Sequence, residues 1–413
     1  MSKAKAVGPL LCWAIAACGG ATGEWAGTVT DSAGVAIVQN PATGLWRGSS
    51  EWRVEETLRI GTAEGDPNYQ FGTIAGLDVG ADGSIYVLDQ QAQHVRVYDS
   101  NGVYVRTIGR PGNGPGELSQ AAGPVLVGRG DTVFVADGMN QRVNRYLPDG
   151  TPVGSFALPM TSGIATRWAH MPGGRFAQEQ RPIPMPIPGA QATRMVHAVL
   201  VRGTDGAVLD TLLHLPEGKT IQAQGGSMQV RVFETEPLWD VWPDGSSASG
   251  VSTDYRIEIR GPDGRLERIV KRPFERQPVT QADQQTIRQA LERLLEQQGA
   301  PPVARQMLLQ SLTFAEHYPA FANLMAGPAG TLWVQHVQTA ADVAASGEID
   351  LQDLGAANWD VFDAEGRYLG VVRFPDRFNP LRFVGNDVYG VWRDELDVQH
   401  VMRLRVVGIG TDA

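Results

Sequence analysis

Side chains that could do chemistry are thinly spread through this 413-residue chain, and their spacing limits what that chemistry could be. Asp78, Asp240 and Asn323 each fall in a short stretch that opens a repeated unit, and Glu236 precedes one of them. Carboxylate and amide oxygens converging from several such stretches are what a calcium ion requires. Asp78 and Asp240, however, occupy equivalent positions of the repeat, so hydrogen bonding between neighbouring strands is the favoured reading. No tight D-x-D-x-D loop supports calcium independently. Seven histidines raise a zinc alternative, but none forms an H-x-H or H-E-x-x-H set. His170 is expected at a strand end, and His317 and His336 on one shared face; two are too few for a zinc centre. The sequence contains neither a G-x-S-x-G elbow nor a C-x-x-C pair, and the glycines of 109–116 lack the Lys-Ser/Thr of a phosphate loop.

The elements that must position these groups announce themselves by repetition. Residues 74–102 and 122–150 match at a constant offset of 48, with Val87 on Val135, Asp89 on Asp137, Val95 on Val143 and Gly102 on Gly150. A period of 40–50 residues carrying several short strands marks one blade of a β-propeller. Asp89 and Asp137 each end a core strand at a turn, where a carboxylate can accept the following backbone N–H groups.

Blades one and two run over about 72–108 and 120–157. A more diverged third blade opens at Trp168 to Gly174 and turns at Thr204-Asp205-Gly206. The fourth starts at Leu238 and turns at Pro262-Asp263-Gly264, and the fifth spans Leu324 to beyond Ala364-Glu365-Gly366. The sixth begins near Pro380 and runs out of chain before an outer strand. Two strand-like pieces remain upstream, Gly34 to Val38 and Trp52 to Ile60. Pairing N-terminal strands with the last blade would close the ring and remove a free sheet edge. The expected fold is therefore an all-β six-bladed propeller over 31–408, closed by N-terminal strand or strands.

Chain direction then sorts the connections by face. Turns between first and second and between third and fourth strands share one face, and all are short here, as at Ala81-Asp82-Gly83 and Pro148-Asp149-Gly150. The long insertions 109–118, 181–194, 272–318 and 337–357 all map to the other face. Long loops gathered at one end of a rigid scaffold are where binding usually sits. The 272–318 insertion, between blades four and five, is expected to be helical. Thr280 and Asp283 form its start signal, Ile287, Leu291, Leu294 and Leu295 recur at helical spacing, and a second helix follows Pro301-Pro302. Arg110, Glu117, Trp168, Glu236, Tyr318, His336, Trp392 and Arg393 are the recognition-type residues expected on this face.

The N-terminus carries an address. Lys3 and Lys5 precede an apolar run from Ala6 to Ala17, and Ile15-Ala16-Ala17-Cys18-Gly19 follows. Residues 1–18 read as a secretory signal whose Cys18 becomes the lipidated N-terminus, and 19–30 as a short tether. The chain has two cysteines, and Cys12 lies in the segment that would be removed, so no disulfide is available. Two or three acyl chains make a stable anchor. Gly19 is not an inner-membrane retention residue of the aspartate kind, which points to the outer membrane, periplasmic side. Net charge is −10 and no basic run occurs, so neither a nucleic-acid partner nor electrostatic docking on anionic lipid is expected.

The I-Y-V-x-D core strand resembles NHL-type repeats. Ile108 to Leu118, with its Gly114-Pro115-Gly116-Glu117 stretch, and the Glu56 to Gly61 segment are similar to bacterial six-bladed β-propeller lipoproteins. That resemblance implies fold and envelope location rather than a reaction. The expectation is a monomer without an assigned cofactor, held to the membrane through its lipid alone. Its insertion-rich face would bind a small molecule or an envelope protein. The alternative is a calcium- or zinc-dependent hydrolase or lyase acting in the central channel.

Overall fold

A computed structural model describes residues 24–47, 51–160, 163–182, 197–216, 222–224, 227–351 and 353–409. Residues 1–18, expected to be a secretory signal and including Cys12 and Cys18, lie outside these residues, as does most of the 181–194 loop. Six four-stranded antiparallel units surround a central axis, and their innermost strands are Ile74–Val79, Val125–Val127, Ile164–His170, Pro237–Val241, Asn323–Ala326 and Phe378–Val384. The chain is a six-bladed β-propeller.

Burial explains why the second strands read as continuous apolar runs. Ile85–Asp89 and Val133–Asp137 are buried at every position, because each is covered on both faces by a neighbouring blade. Tyr86, Leu88, Val95 and Val97 of blade one meet Val125, Val127, Val133 and Val135 of blade two. On its other face, Ile85 and Val87 meet Tyr389 and Val391 of blade six. The outer strand Tyr104–Ile108 instead alternates in exposure, as a strand with one wet face should.

The two upstream strand pieces have different fates. Arg53–Ile60 pairs antiparallel with Gln399–Val407, from Val401 against Ile60 to Val407 against Arg53, and is the outer strand of blade six. Val35–Gln39 does not join that blade. It runs parallel to Leu266–Lys271 and, with Thr28–Ser32, extends blade four to six strands. The first strand thus begins inside the stretch expected to be tether.

The helical insertion is present as α1 (Gln281–Gln297) and α2 (Pro302–Ser311). Thr280 caps α1 in a reciprocal box with Asp283. A third helix, α3 (Ala340–Ser346), lies in the loop between the second and third strands of blade five, with Thr339 and Asp342 capping it in the same way. Ile287, Ala290 and Leu291 of α1 share one core with Val232, Phe233, Tyr318, Ala340 and Val343. Strand Ser227–Val232 also runs parallel to Leu312–Phe314. Segments from three separate connections therefore fold into a single cap. Among the described residues no helix is long and apolar enough to cross a membrane.

Ring closure has a measurable signature. Ile60 is 2% exposed within the core shared by blades one and six, so Ile60→Ala should cost about 2–4 kcal/mol in urea unfolding. Val29, on the added edge of blade four, is 56% exposed; Val29→Ala should leave the midpoint nearly unchanged. Equal losses at the two sites would contradict the assignment of Arg53–Ile60 as the closing strand.

Candidate functional site

The six inner strands enclose a channel of about 1230 Å³. Leu77, Leu126, Met325 and Leu381 contribute apolar lining, and Asp78, Arg167, His170, Asp240, Asn323 and Arg382 contribute polar groups. Repetition accounts for the two aspartates. The Asp78 carboxylate accepts Val127 N–H of the next blade at 2.6 Å, and Asp240 accepts Ala326 N–H of its next blade at 2.8 Å. Equivalent positions thus make the same blade-to-blade bond.

Each aspartate also has its own cation. Arg382 pairs with Asp78, and Arg167 lies 3.5 Å from Asp240 while donating to Asn323 Oδ1 and the Leu324 carbonyl. Burial pushes the Asp240 carboxyl upward, and Arg167 partly offsets this. His170 Nε2 is 2.8 Å from Asp78 Oδ2 and also touches Arg382. One nitrogen cannot serve both at once: Nε2 either donates to the carboxylate or accepts from the guanidinium. His170 belongs to blade three and Arg382 to blade six, so this contact spans the ring. Among the described residues no three His, Cys, Asp or Glu side chains converge as a metal set. Asp78, Asp240 and Asn323 are engaged by arginines and backbone N–H groups instead.

A denser cluster lies between blades four and five. Asp360 is fully buried and accepts from Tyr255 Oη at 2.6 Å, Arg272 at 2.5 Å, His336 Nε2 at 2.9 Å and Tyr368 Oη at 2.9 Å. Burial opposes its charge, but the His336 and Tyr255 bonds and the Arg272 charge outweigh burial and hold the carboxyl below its usual range. Arg272 stacks over the Tyr368 ring at 4.2 Å. Between blades three and four, Glu179 accepts from His197 Nε2 at 2.7 Å, Trp239 Nε1 at 3.1 Å and Arg181 at 3.0 Å. Those partners overcome burial and bring its carboxyl down to about 2.

The eight recognition residues named from sequence do not converge. Arg110 and Glu117 pair with each other at 2.9 Å, and Glu117 also accepts Gly114 N–H, which staples the 109–118 loop. Glu236 receives Arg181 at 3.1 Å. Trp168 is 9% exposed and stacks on Phe176 at 4.9 Å, and Tyr318 is buried in the cap against Phe233. His336 belongs to the Asp360 cluster. Trp392 lies under the Arg59 guanidinium at 4.2 Å, and Arg393 is 3.6 Å from Asp350. His317 bridges to Pro278 at the base of the insertion. Asp89 accepts N–H groups of Gly72, Gln91 and Ala92, and Asp137 accepts that of Ser119.

Sequence reasoning missed Arg167, Arg382, Glu179 and Asp360. Asp360 did leave a signal, a charged residue inside the apolar stretch Trp359 to Phe362, opposite the buried Val334. The arginines left none, because their carboxylate partners lie in neighbouring blades, 73 residues or more away in sequence.

The comparisons with known proteins agree with this architecture. A family model described as "6-bladed beta-propeller" matches residues 69–176, which cover the first two blades and the start of the third. No curated protein matches the sequence. A Bacteroides fragilis protein described as exported is similar over 90% of this chain and 99% of its own, with 12% identity and a TM-score of 0.50. A member of the DUF4221 family from Bacteroides vulgatus is similar over 87% of this chain and 99% of its own, with 10% identity and the same TM-score. At such identities the likeness is one of fold.

Two outcomes follow from the titrating clusters. Asp360→Asn removes the charge that four donors share, and should cost about 3–5 kcal/mol, read by urea unfolding at neutral pH; a loss below 1 kcal/mol would mean the cluster is not coupled. Burial pushes the His170 imidazole down to about 4, below its value near 6.5 in an unfolded chain. The unfolded state therefore binds the proton first, so stability is complete above about pH 6.5 and is lost as pH falls toward 4. The side chain is 31% exposed, and solvent screening reduces its share to on the order of 1 kcal/mol. His94 is depressed by burial in the same direction. His170→Gln should remove part of that acid loss between pH 6.5 and 4, and an unchanged slope would refute it.

Proposed function

We propose that this chain is an exported, lipid-anchored propeller whose insertion-bearing face binds a small molecule or an envelope protein. The observation that carries this reading is the asymmetry of the two faces. On one, three separate connections fold together around a shared apolar core. On the other, tight turns such as Asp99 to Val103 and Leu147 to Thr151 close on their own backbone. A ring of blades needs no cap for stability, so the extra core is best explained by what it presents. Arg110 presents 78% of its side chain and Arg393 41%, and both are candidates for contact alongside His336 and Trp392. The similarity of an exported Bacteroides protein agrees with passage out of the cytoplasm.

Anchoring is assigned to the thioether of Cys18, in the outer membrane on its periplasmic side. Cys18→Ala should weaken membrane retention without lowering the unfolding midpoint, and retention of that variant as firm as the parent's would sink the anchor. Binding is tested by photo-crosslinking in intact cells. Crosslinks are expected from probes at Arg110, His336 and Arg393, and not from probes at Asp82, Asn101, Asp149 or Asp263. The opposite pattern would place the working face on the side of the short turns.

A further inference from the structure

We infer that α2 rests on the lipid bilayer and gives the protein a second membrane contact beside its lipid; this rests on the anchoring reading above. The first observation is where the tether is rooted. Thr28 pairs with Gln39, and Gln39 pairs with Lys271, the last residue of the outer strand of blade four. With strands about 4.8 Å apart, the start of the first strand lies about 10 Å from the residue where the helical insertion leaves the propeller. Trp25 is fixed there too, its Nε1 donating to Asn40 Oδ1 at 3.1 Å while Asn40 N–H donates to the Lys271 carbonyl at 2.9 Å. The tether and the insertion share one root.

Length makes the consequence specific. Trp25 lies seven steps along the chain from Cys18, and at no more than about 3.6 Å per step this places the anchor within about 25 Å of Trp25. The 17 residues of α1 span about the same distance at 1.5 Å each. A lipid on Cys18 therefore leaves the insertion close enough to reach the membrane surface.

The third observation is the outward face of α2. Val303 is 70% and Met307 66% exposed, one helical turn apart. Pro302, Ala304, Gln306 and Gln310 complete the exposed set, and none is charged. The single charged residue of α2, Arg305, is half-buried and pairs with Glu296 of α1 at 3.1 Å. A surface helix in an acidic chain usually carries charge on its wet side. An uncharged face with two large apolar side chains is suited instead to the interfacial region of a bilayer. The contact depends on apolar surface rather than on attraction to anionic lipid, consistent with a net charge of −10.

The processed chain would hold no free thiol, so Met307→Cys offers one labelling position on an exposed site. The full lipidated chain carrying an environment-sensitive fluorophore there is reconstituted in vesicles of phosphatidylethanolamine and phosphatidylglycerol, with Asp263→Cys on the opposite face as control. A nitroxide carried on the lipids should quench the position-307 label at least about threefold more than the control, with blue-shifted emission, as interfacial burial requires. Equal quenching at the two positions in vesicles that float with the protein overturns the inference and leaves the anchor standing. Blue-shifted emission without lipid quenching means that a second copy or another protein covers α2, and also overturns it. Flotation of the Cys18→Ala chain with the position-307 label unquenched would overturn the anchoring reading instead, whereas flotation with that label quenched supports the α2 contact.

Discussion

Each second strand of this propeller is buried on both faces, and that constraint governs the rest of the molecule. A strand such as Ile85–Asp89 has no solvent side, so blade one needs blade two against one face and blade six against the other. No blade can be terminal. A chain that ended on blade six would leave a sheet edge and an apolar face uncovered. Arg53–Ile60 supplies the missing strand, joining the two ends of the fold in one sheet.

Polar stitching follows the same geometry. Inner-strand carboxylates at repeated positions reach the backbone of the next blade, and their charges are met by arginines from elsewhere in the ring. These are buried or partly buried ion pairs, which specify geometry more than they add stability. The channel is therefore crossed by its own side chains. Asp360 and Glu179 do similar work farther out, each drawing several donors from different strands between adjacent blades.

Against this regular frame the cap is the irregular part. It draws on the links before blade four and before blade five and on a loop within blade five, and its core is separate from those of the blades. The N-terminal hairpin adds to blade four at the same corner. The asymmetry between faces, the insertion and the N-terminal hairpin thus concentrate on one side of the ring.

Repeat spacing, turn residues and unbroken apolar runs were enough to read the propeller, its six blades and the helical insertion, because these depend on local periodicity that the sequence displays directly. The capping pair of Thr280 and Asp283 was legible for the same reason. The sequence left open which upstream piece closes the ring, since Val35–Gln39 and Arg53–Ile60 have equal strand character; packing at Ile60 decided it. It pointed to Trp168 and Tyr318 as recognition residues because aromatic type does not reveal exposure, and both are buried. Only the closed ring brought His170 to Asp78 and Arg382, and Arg272 to Asp360. The first set joins blades one, three and six across the channel and the second joins neighbouring blades 88 residues apart in sequence, and no local pattern encodes which side chains will meet over such separations.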